Sequence, residues 1–213
     1  ITSMDYRMPW RSIEPLKTEW DGDLFGYVEY TMERVREAWD WDNPAQAKEM
    51  TAALTPSQLA LWAVLNADGQ VCNGGFSQFF YNSYGELAEE ALQGFRLLGM
   101  PEYADLLEKA YSQFAHRPIP KDRKQRIAIL DALTGDSEEG DAAQVRDPEV
   151  PEMLAHYSAM AKGTEALWGA LESSYYALID REDVPGGYNA AFFHPLAVYI
   201  ESHPHEFFLP KLA

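Results

Sequence analysis

The residues of this chain that could do chemistry are one cysteine, a few histidines and a surplus of carboxylates, and their spacing limits what that chemistry is. Cys72 is the single cysteine. As a nucleophile it would need a nearby base, and no histidine lies close to it in sequence, so a packing role as a small buried hydrophobe is expected. His194, Glu201, His203, His205 and Glu206 are the best metal-ligand candidates. Pro204 separates His203 from His205 at a predicted helix end, so the pair lacks the i, i+4 spacing on one helix that makes imidazoles converge. Helix-end and packing roles are expected there, with no metal and no cofactor. Ser57, Ser77 and Ser83 lack the strand-turn-helix setting of a nucleophile elbow. Carboxylates are so abundant that a pair at acid/base distance would arise by accident, and no enzymatic activity is expected from them.

The carboxylates do carry information through their distribution. Asp and Glu number 34 against 17 Lys and Arg, a net charge of −17. A protein that binds DNA by displacing counterions needs a basic face, so direct nucleic-acid binding is excluded. Spread evenly, each net charge would occupy roughly 600 Å² of a surface of this mass. A DNA cylinder carries one phosphate per roughly 100 Å². Only clustering could make the surface resemble DNA, and the sequence clusters. Glu29, Glu33 and Glu37 follow at i, i+4 and i+8, with Asp40 and Asp42 beyond them. Glu86, Glu89 and Glu90 form a second group, and Asp136, Glu138, Glu139 and Asp141 a third with no base among them. Like charges at i, i+4 repel, so such rows suit a surface that attracts a basic partner, although a solvated face of a soluble acidic protein gives the same pattern. Conversely, Arg117, Lys121, Arg123, Lys124 and Arg126 fall within ten positions. Docking of that segment on an acidic face of a second copy would give a homodimer.

Most segments that must position these groups repeat with helical period. Phe25, Val28, Met32, Val35 and Trp39 form one stripe of a helix over residues 23–40, ended by Asn43-Pro44. Thr55-Pro56 is an N-cap with proline at the first helical position, opening a helix towards Cys72. Asn73-Gly74-Gly75 breaks the chain, and residues 76–82 read as a short aromatic helical segment. Residues 86–98 and 101–114 form a helical hairpin divided by Gly99 and Pro101. Residues 121–133 are helical, 135–148 a polar loop, and 150–181 the longest helix. A final helix over 196–202 stops at His203-Pro204. No alternating strand pattern is convincing. The expected fold is all-α, a single globular multi-helix domain with an N-terminal arm. Residues 1–45 are the arm, carrying Trp10 and Trp20, and the acidic first helix, packed on a main domain at 46–213. The longest apolar run is far short of the roughly 18 residues a membrane span needs. The lack of an apolar signal region and of cysteine pairs leads us to expect a cytoplasmic location without membrane association.

The stretch Asn73-Gly74-Gly75-Phe76-Ser77-Gln78-Phe79-Phe80-Tyr81-Asn82-Ser83, followed by Gly85-Glu86, reads first as architecture. The glycines permit positive φ, Phe76, Phe79, Phe80 and Tyr81 can turn back as a core wedge, and Asn73, Gln78 and Asn82 can satisfy backbone groups at the break. A phosphate cradle is disfavoured, because no lysine follows the glycines and no strand precedes them. This stretch also resembles the signature of the family that contains the neisserial DNA-mimic protein. The likeness covers residues 50–207, taking in the Trp62 helix, the Leu98-Gly99 bend and the His203-Pro204-x-Glu206-Phe207 ending. The resemblance implies a DNA mimic that competes with DNA for a transcriptional regulator or another basic DNA-binding protein through the acidic clusters above. The alternative is a helical domain with a small-molecule-binding or hydrolytic cleft near the Gly74-Gly75 turn.

Overall fold

The computed structural model describes residues 5–11, 24–40, 43–114, 118–134, 150–181 and 189–211. The fold is all-α. Its elements are α1 (Leu24–Thr31), α2 (Glu33–Ala38), α3 (Pro44–Ala53), α4 (Pro56–Tyr81), a 3₁₀ turn (Ser83–Leu87), α5 (Ala88–Leu97) and α6 (Pro101–Tyr111). They continue with α7 (Arg123–Thr134), α8 (Val150–Ile179), α9 (Ala190–Ser202) and the single-turn α10 (Pro204–Phe207).

Helix α4 is the central column, packed by α5, α7, α8, α10 and the 3₁₀ turn. Its start follows from Thr55-Pro56. The Thr55 hydroxyl accepts from the Gln58 N–H at 3.1 Å, and the Gln58 side chain accepts from the Thr55 N–H at 3.2 Å, a complete capping box. Close packing of α5 on α4 rests on Gly94. A Cβ there would sit 2.8 Å from the Ala60 carbonyl oxygen, so only glycine lets the two backbones approach this far. Leu61, Val64, Phe76, Phe79, Phe80, Ala91, Phe95, Leu107, Tyr111 and Leu133 are buried around this column.

Three expectations are corrected. The acidic first helix is two helices, because Met32 adopts φ −110°, ψ 3° and breaks α1 from α2. The apolar stripe survives the break: Val28, Met32 and Val35 are all fully buried. A helix unmarked in the sequence reading, α3, follows Asn43, whose side chain accepts from the Gln46 N–H at 3.2 Å. The final long helix begins at Ala190 rather than 196 and carries Pro195 inside it.

The described part of the arm, residues 5–11, lies against the C-terminal segment. Met8 and Phe208 form an isolated parallel bridge, with Met8 N–H donating to the Phe207 carbonyl at 2.9 Å and Leu209 N–H to the Met8 carbonyl at 2.8 Å. Trp10 meets Phe208 edge-on at 5.5 Å, and Tyr30 donates to the Pro9 carbonyl. Trp20 lies outside the described residues. Among the described residues no helix is long and apolar enough to cross a membrane.

Candidate functional site

The first acidic cluster does not stay a row. Glu29 is half-buried on α1 and forms an ion pair with Arg36, reaching back across the Met32 break. Burial pushes its carboxyl up, against the pull of Arg36. Glu33, Glu37 and Asp40 are exposed on and just beyond α2. The two arginines of this segment are turned to other work, Arg36 to Glu29 and Arg34 to the Arg7 carbonyl at 2.7 Å. Asp42 and the cluster Asp136, Glu138, Glu139 and Asp141 lie outside the described residues.

The second cluster is drawn into the fold. Glu86, in the 3₁₀ turn, is half-buried, and burial raises its carboxyl against the opposing Arg126 and Lys121. Glu90 pairs with Lys121 at 3.0 Å, and Glu89 accepts from the Gln93 side chain.

The basic segment gives one of its residues to the core. Arg126 is fully buried and spends its guanidinium on four backbone carbonyls, Phe80 at 2.8 Å, Asn82 at 2.8 Å, Pro120 at 2.9 Å and Lys121 at 2.9 Å. It thereby ties the carbonyls at the C-terminal end of α4, where the helix dipole favours a cation, to the entry of α7. Burial lowers its proton affinity, with Glu86 opposing. Arg123 donates to the Tyr81 carbonyl at 3.1 Å and lies over the Tyr81 ring. Arg117 lies outside the described residues.

The aromatic motif is core and kink together. Helix α4 runs through it, but Gly74 and Gly75 leave helical geometry, and Gly75 sits at φ 77°, ψ −175°, a conformation open essentially to glycine alone. Beyond the kink Phe76, Phe79 and Phe80 are completely buried, and Phe80 packs against Tyr111, Phe114 and Trp168. Tyr81 corrects the expectation of a four-ring wedge, being 42% exposed. Gln78 and Asn82 do not cap the break. Their amide nitrogens both donate to Gln70 Oε1, at 3.1 and 2.7 Å, tying the two sides of the kink together. Asn73 is exposed.

A cleft of about 800 Å³ opens beside that kink, between it and helices α7 and α8. From the kinked helix Gly74, Ser77, Gln78 and Tyr81 face it; from α8, Glu165, Trp168, Gly169 and Glu172 supply a stripe at i, i+3, i+4 and i+7. Glu172 accepts from the Phe76 N–H at 2.9 Å, satisfying a donor that the kink frees. A Cβ on Gly75 would collide with that carboxylate. Sequence reasoning placed a cleft at the Gly74-Gly75 turn as its alternative; its opposite wall on α8, about ninety residues away, had no local signal.

Behind the kink lies a buried polar group. Asp68, 9% exposed, accepts from Tyr175 Oη at 3.1 Å and from Cys72 Sγ at 3.6 Å. Burial raises its carboxyl to about 6, with the Tyr175 and Cys72 hydrogen bonds opposing. Cys72 is exposed, which corrects the expectation of a buried hydrophobe. Desolvation and the adjacent Asp68 push its thiol up to about 12, the opposite of an activated nucleophile.

The C-terminal histidines have structural partners. His203 stacks on Tyr199 at 4.1 Å and its Nδ1 lies 3.0 Å from the Ser202 hydroxyl. Glu201 accepts from Tyr27 at 2.7 Å, and the Glu206 carbonyl accepts from Thr55 at 3.1 Å. His205 lies beside Glu206 at 3.4 Å, and His194 is exposed. Among the described residues no three His, Cys, Asp or Glu side chains converge on one point.

These features define an all-helical acidic domain built on a glycine-kinked central helix. The model of the DMP19-like protein family matches residues 52–203, and the chain belongs to that family. The match spans α4, its kink, the 3₁₀ turn and helices α5 to α9. No curated protein and no solved structure matches the chain.

Proposed function

We propose that the chain is a non-enzymatic interaction protein that uses clustered carboxylates to occupy the DNA-binding surface of a basic protein such as a transcriptional regulator. The observation that carries this reading is membership in the DMP19-like family by a chain with twice as many acidic as basic residues, 34 against 17. Of the described acids, Glu33 and Glu37 suit the role best, because they are exposed while the neighbouring Arg34 and Arg36 reach to the Arg7 carbonyl and to Glu29; Asp40 is exposed beside them. Glu29, Glu86, Glu89 and Glu90 contribute less, being partly buried or hydrogen-bonded. An interface of this kind depends on long-range attraction between opposite potentials, which salt screens over about 10 Å at 0.1 M. The test is affinity capture of DNA-binding proteins from a lysate. The reading expects retention that falls with added duplex DNA and with salt, and that weakens in a Glu33→Lys, Glu37→Lys double variant. Retention indifferent to both DNA and salt would dispose of it.

A second reading, binding of a small molecule, is favoured by the cleft beside the Gly74-Gly75 kink. Hydrolysis there has little to draw on. Ser77 donates its hydroxyl to the Gly74 carbonyl at 3.4 Å, and no histidine lies among the described lining residues.

A further inference from the structure

The cleft beside the kink has a chemistry of its own. We propose that it binds a guanidinium group carried on an apolar stem. On the interaction reading above, from which this site borrows its natural source, the stem is an arginine side chain of the basic partner.

Four observations bear on the ligand. The volume, about 800 Å³, is that of a small-ligand site. Its described lining includes the carboxylates Glu165 and Glu172 and no lysine, arginine or histidine, which favours a cation over an anion. The lining is also rich in acceptors. The Gln78 amide donates to Gln70, while its Oε1 lies against Gly74 at the cleft surface. A guanidinium, which is all donor and planar, matches such a surface, and carboxylates take it in a two-pronged geometry that an ammonium cannot reproduce. Third, Tyr81 gives the cleft an exposed ring, and Arg123 already lies over it, 5.4 Å from its centroid, which shows that the ring accepts a guanidinium. Fourth, the groups are held in place. Glu172 is fixed by the Phe76 N–H and the Trp168 indole donates to the Ala110 carbonyl at 3.2 Å, so little ordering is left to do when a ligand arrives.

Gly169 supplies the test. It lines the cleft, and a Cβ there would meet no atom within 4 Å, so a larger side chain fills the cleft without disturbing packed groups. The experiment titrates the full chain with n-butylguanidinium and with n-butylurea, its uncharged isostere. The Trp168 indole N–H and the Gly74 and Gly169 amide resonances are followed. The expected result is saturable shifts with n-butylguanidinium in the millimolar range, at least about tenfold weaker with n-butylurea. Gly169→Leu should abolish them while its thermal unfolding is no lower than the parent's, because leucine is the better helix former, and Glu165→Gln should weaken them with no change in fold. Equal binding of the two compounds, shifts that survive Gly169→Leu in full, or the absence of any shift would overturn the site.

Capture experiments separate the two readings. If Gly169→Leu loses both n-butylguanidinium and the captured DNA-binding protein, the ligand is the partner's arginine. If it loses only n-butylguanidinium, the cleft serves a free guanidino compound. If the parent protein captures no DNA-binding protein yet binds n-butylguanidinium, the interaction reading fails and the cleft site stands.

Discussion

Two buried charges show how single residues are used here in opposite senses. Asp68 is expensive. Its carboxyl, raised from an ordinary 3.8 to about 6, keeps its proton in the folded chain at a pH where the unfolded chain has released it. The folded state therefore binds more protons between those values, so stability falls as pH rises through that window and stays lower above it. Asp68→Asn keeps an acceptor for Tyr175 and removes the ionisation. Urea unfolding should show the variant gaining about 3 kcal/mol on the parent at pH 8, with the gain fading below pH 6. A gain that does not change with pH would mean that packing, not ionisation, is at work. Arg126 repays its burial through four carbonyls. Replacement by alanine should cost about 3–5 kcal/mol, because the Phe80, Asn82, Pro120 and Lys121 carbonyls lose these donors at once. Arg126→Lys should recover less than half of that loss, since an ammonium cannot span four acceptors arranged for a fork.

At the scale of elements the kink in α4 is the decisive feature. Gly75→Ala should destabilise by about 2–4 kcal/mol, from the positive φ of 77° together with the collision of its Cβ with Glu172. Adding Glu172→Ala should relieve the collision and leave the backbone penalty, a split that a double-mutant cycle of unfolding free energies reads directly. Thr55→Ala, which breaks the capping box at the other end of α4, should cost about 1 kcal/mol by the same measurement. The start of α4 and its kink were legible in the sequence, because Thr-Pro and Gly-Gly act through local backbone chemistry. The break at Met32 was not, since the apolar stripe passes through it without a glycine or proline. Helix α3 was missed because alanines and polar residues give it only a faint stripe, with Ala47 and Met50 buried. Pro195 disguised the first half of α9. The acidic row on the first helix was an inference from ideal periodicity, and it dissolved once Met32 turned Glu29 towards Arg36. The cleft was half legible: its glycine wall is a local motif, whereas Glu165, Trp168 and Glu172 meet it only through tertiary packing.

For the whole molecule, charge has been sorted by the fold. Of the described bases of the 117–126 segment, Arg126 lies in the core, while Arg123, over the Tyr81 ring, and Lys121, paired with Glu90, are engaged at the surface. Lys124 is exposed too, and the contacts Lys121 and Arg123 make within the chain compete with docking of that segment on a second copy. Light scattering should accordingly show a mass that does not shift between low and high salt through this segment, and Lys124→Glu should leave it unchanged. The excess of negative potential is then available for a different protein.

The parallel bridge between Met8 and Phe208 gives the molecule a mechanical direction. Chain enters the bridge from the residue 5 side and leaves it from the residue 211 side, so tension applied at those two points slides the paired segments past each other instead of peeling them apart. Both backbone hydrogen bonds, Met8 to Phe207 and Leu209 to Met8, then carry the load together. Stretching the protein end to end in an optical trap should meet its first resistance at this clasp, before any helix is drawn out.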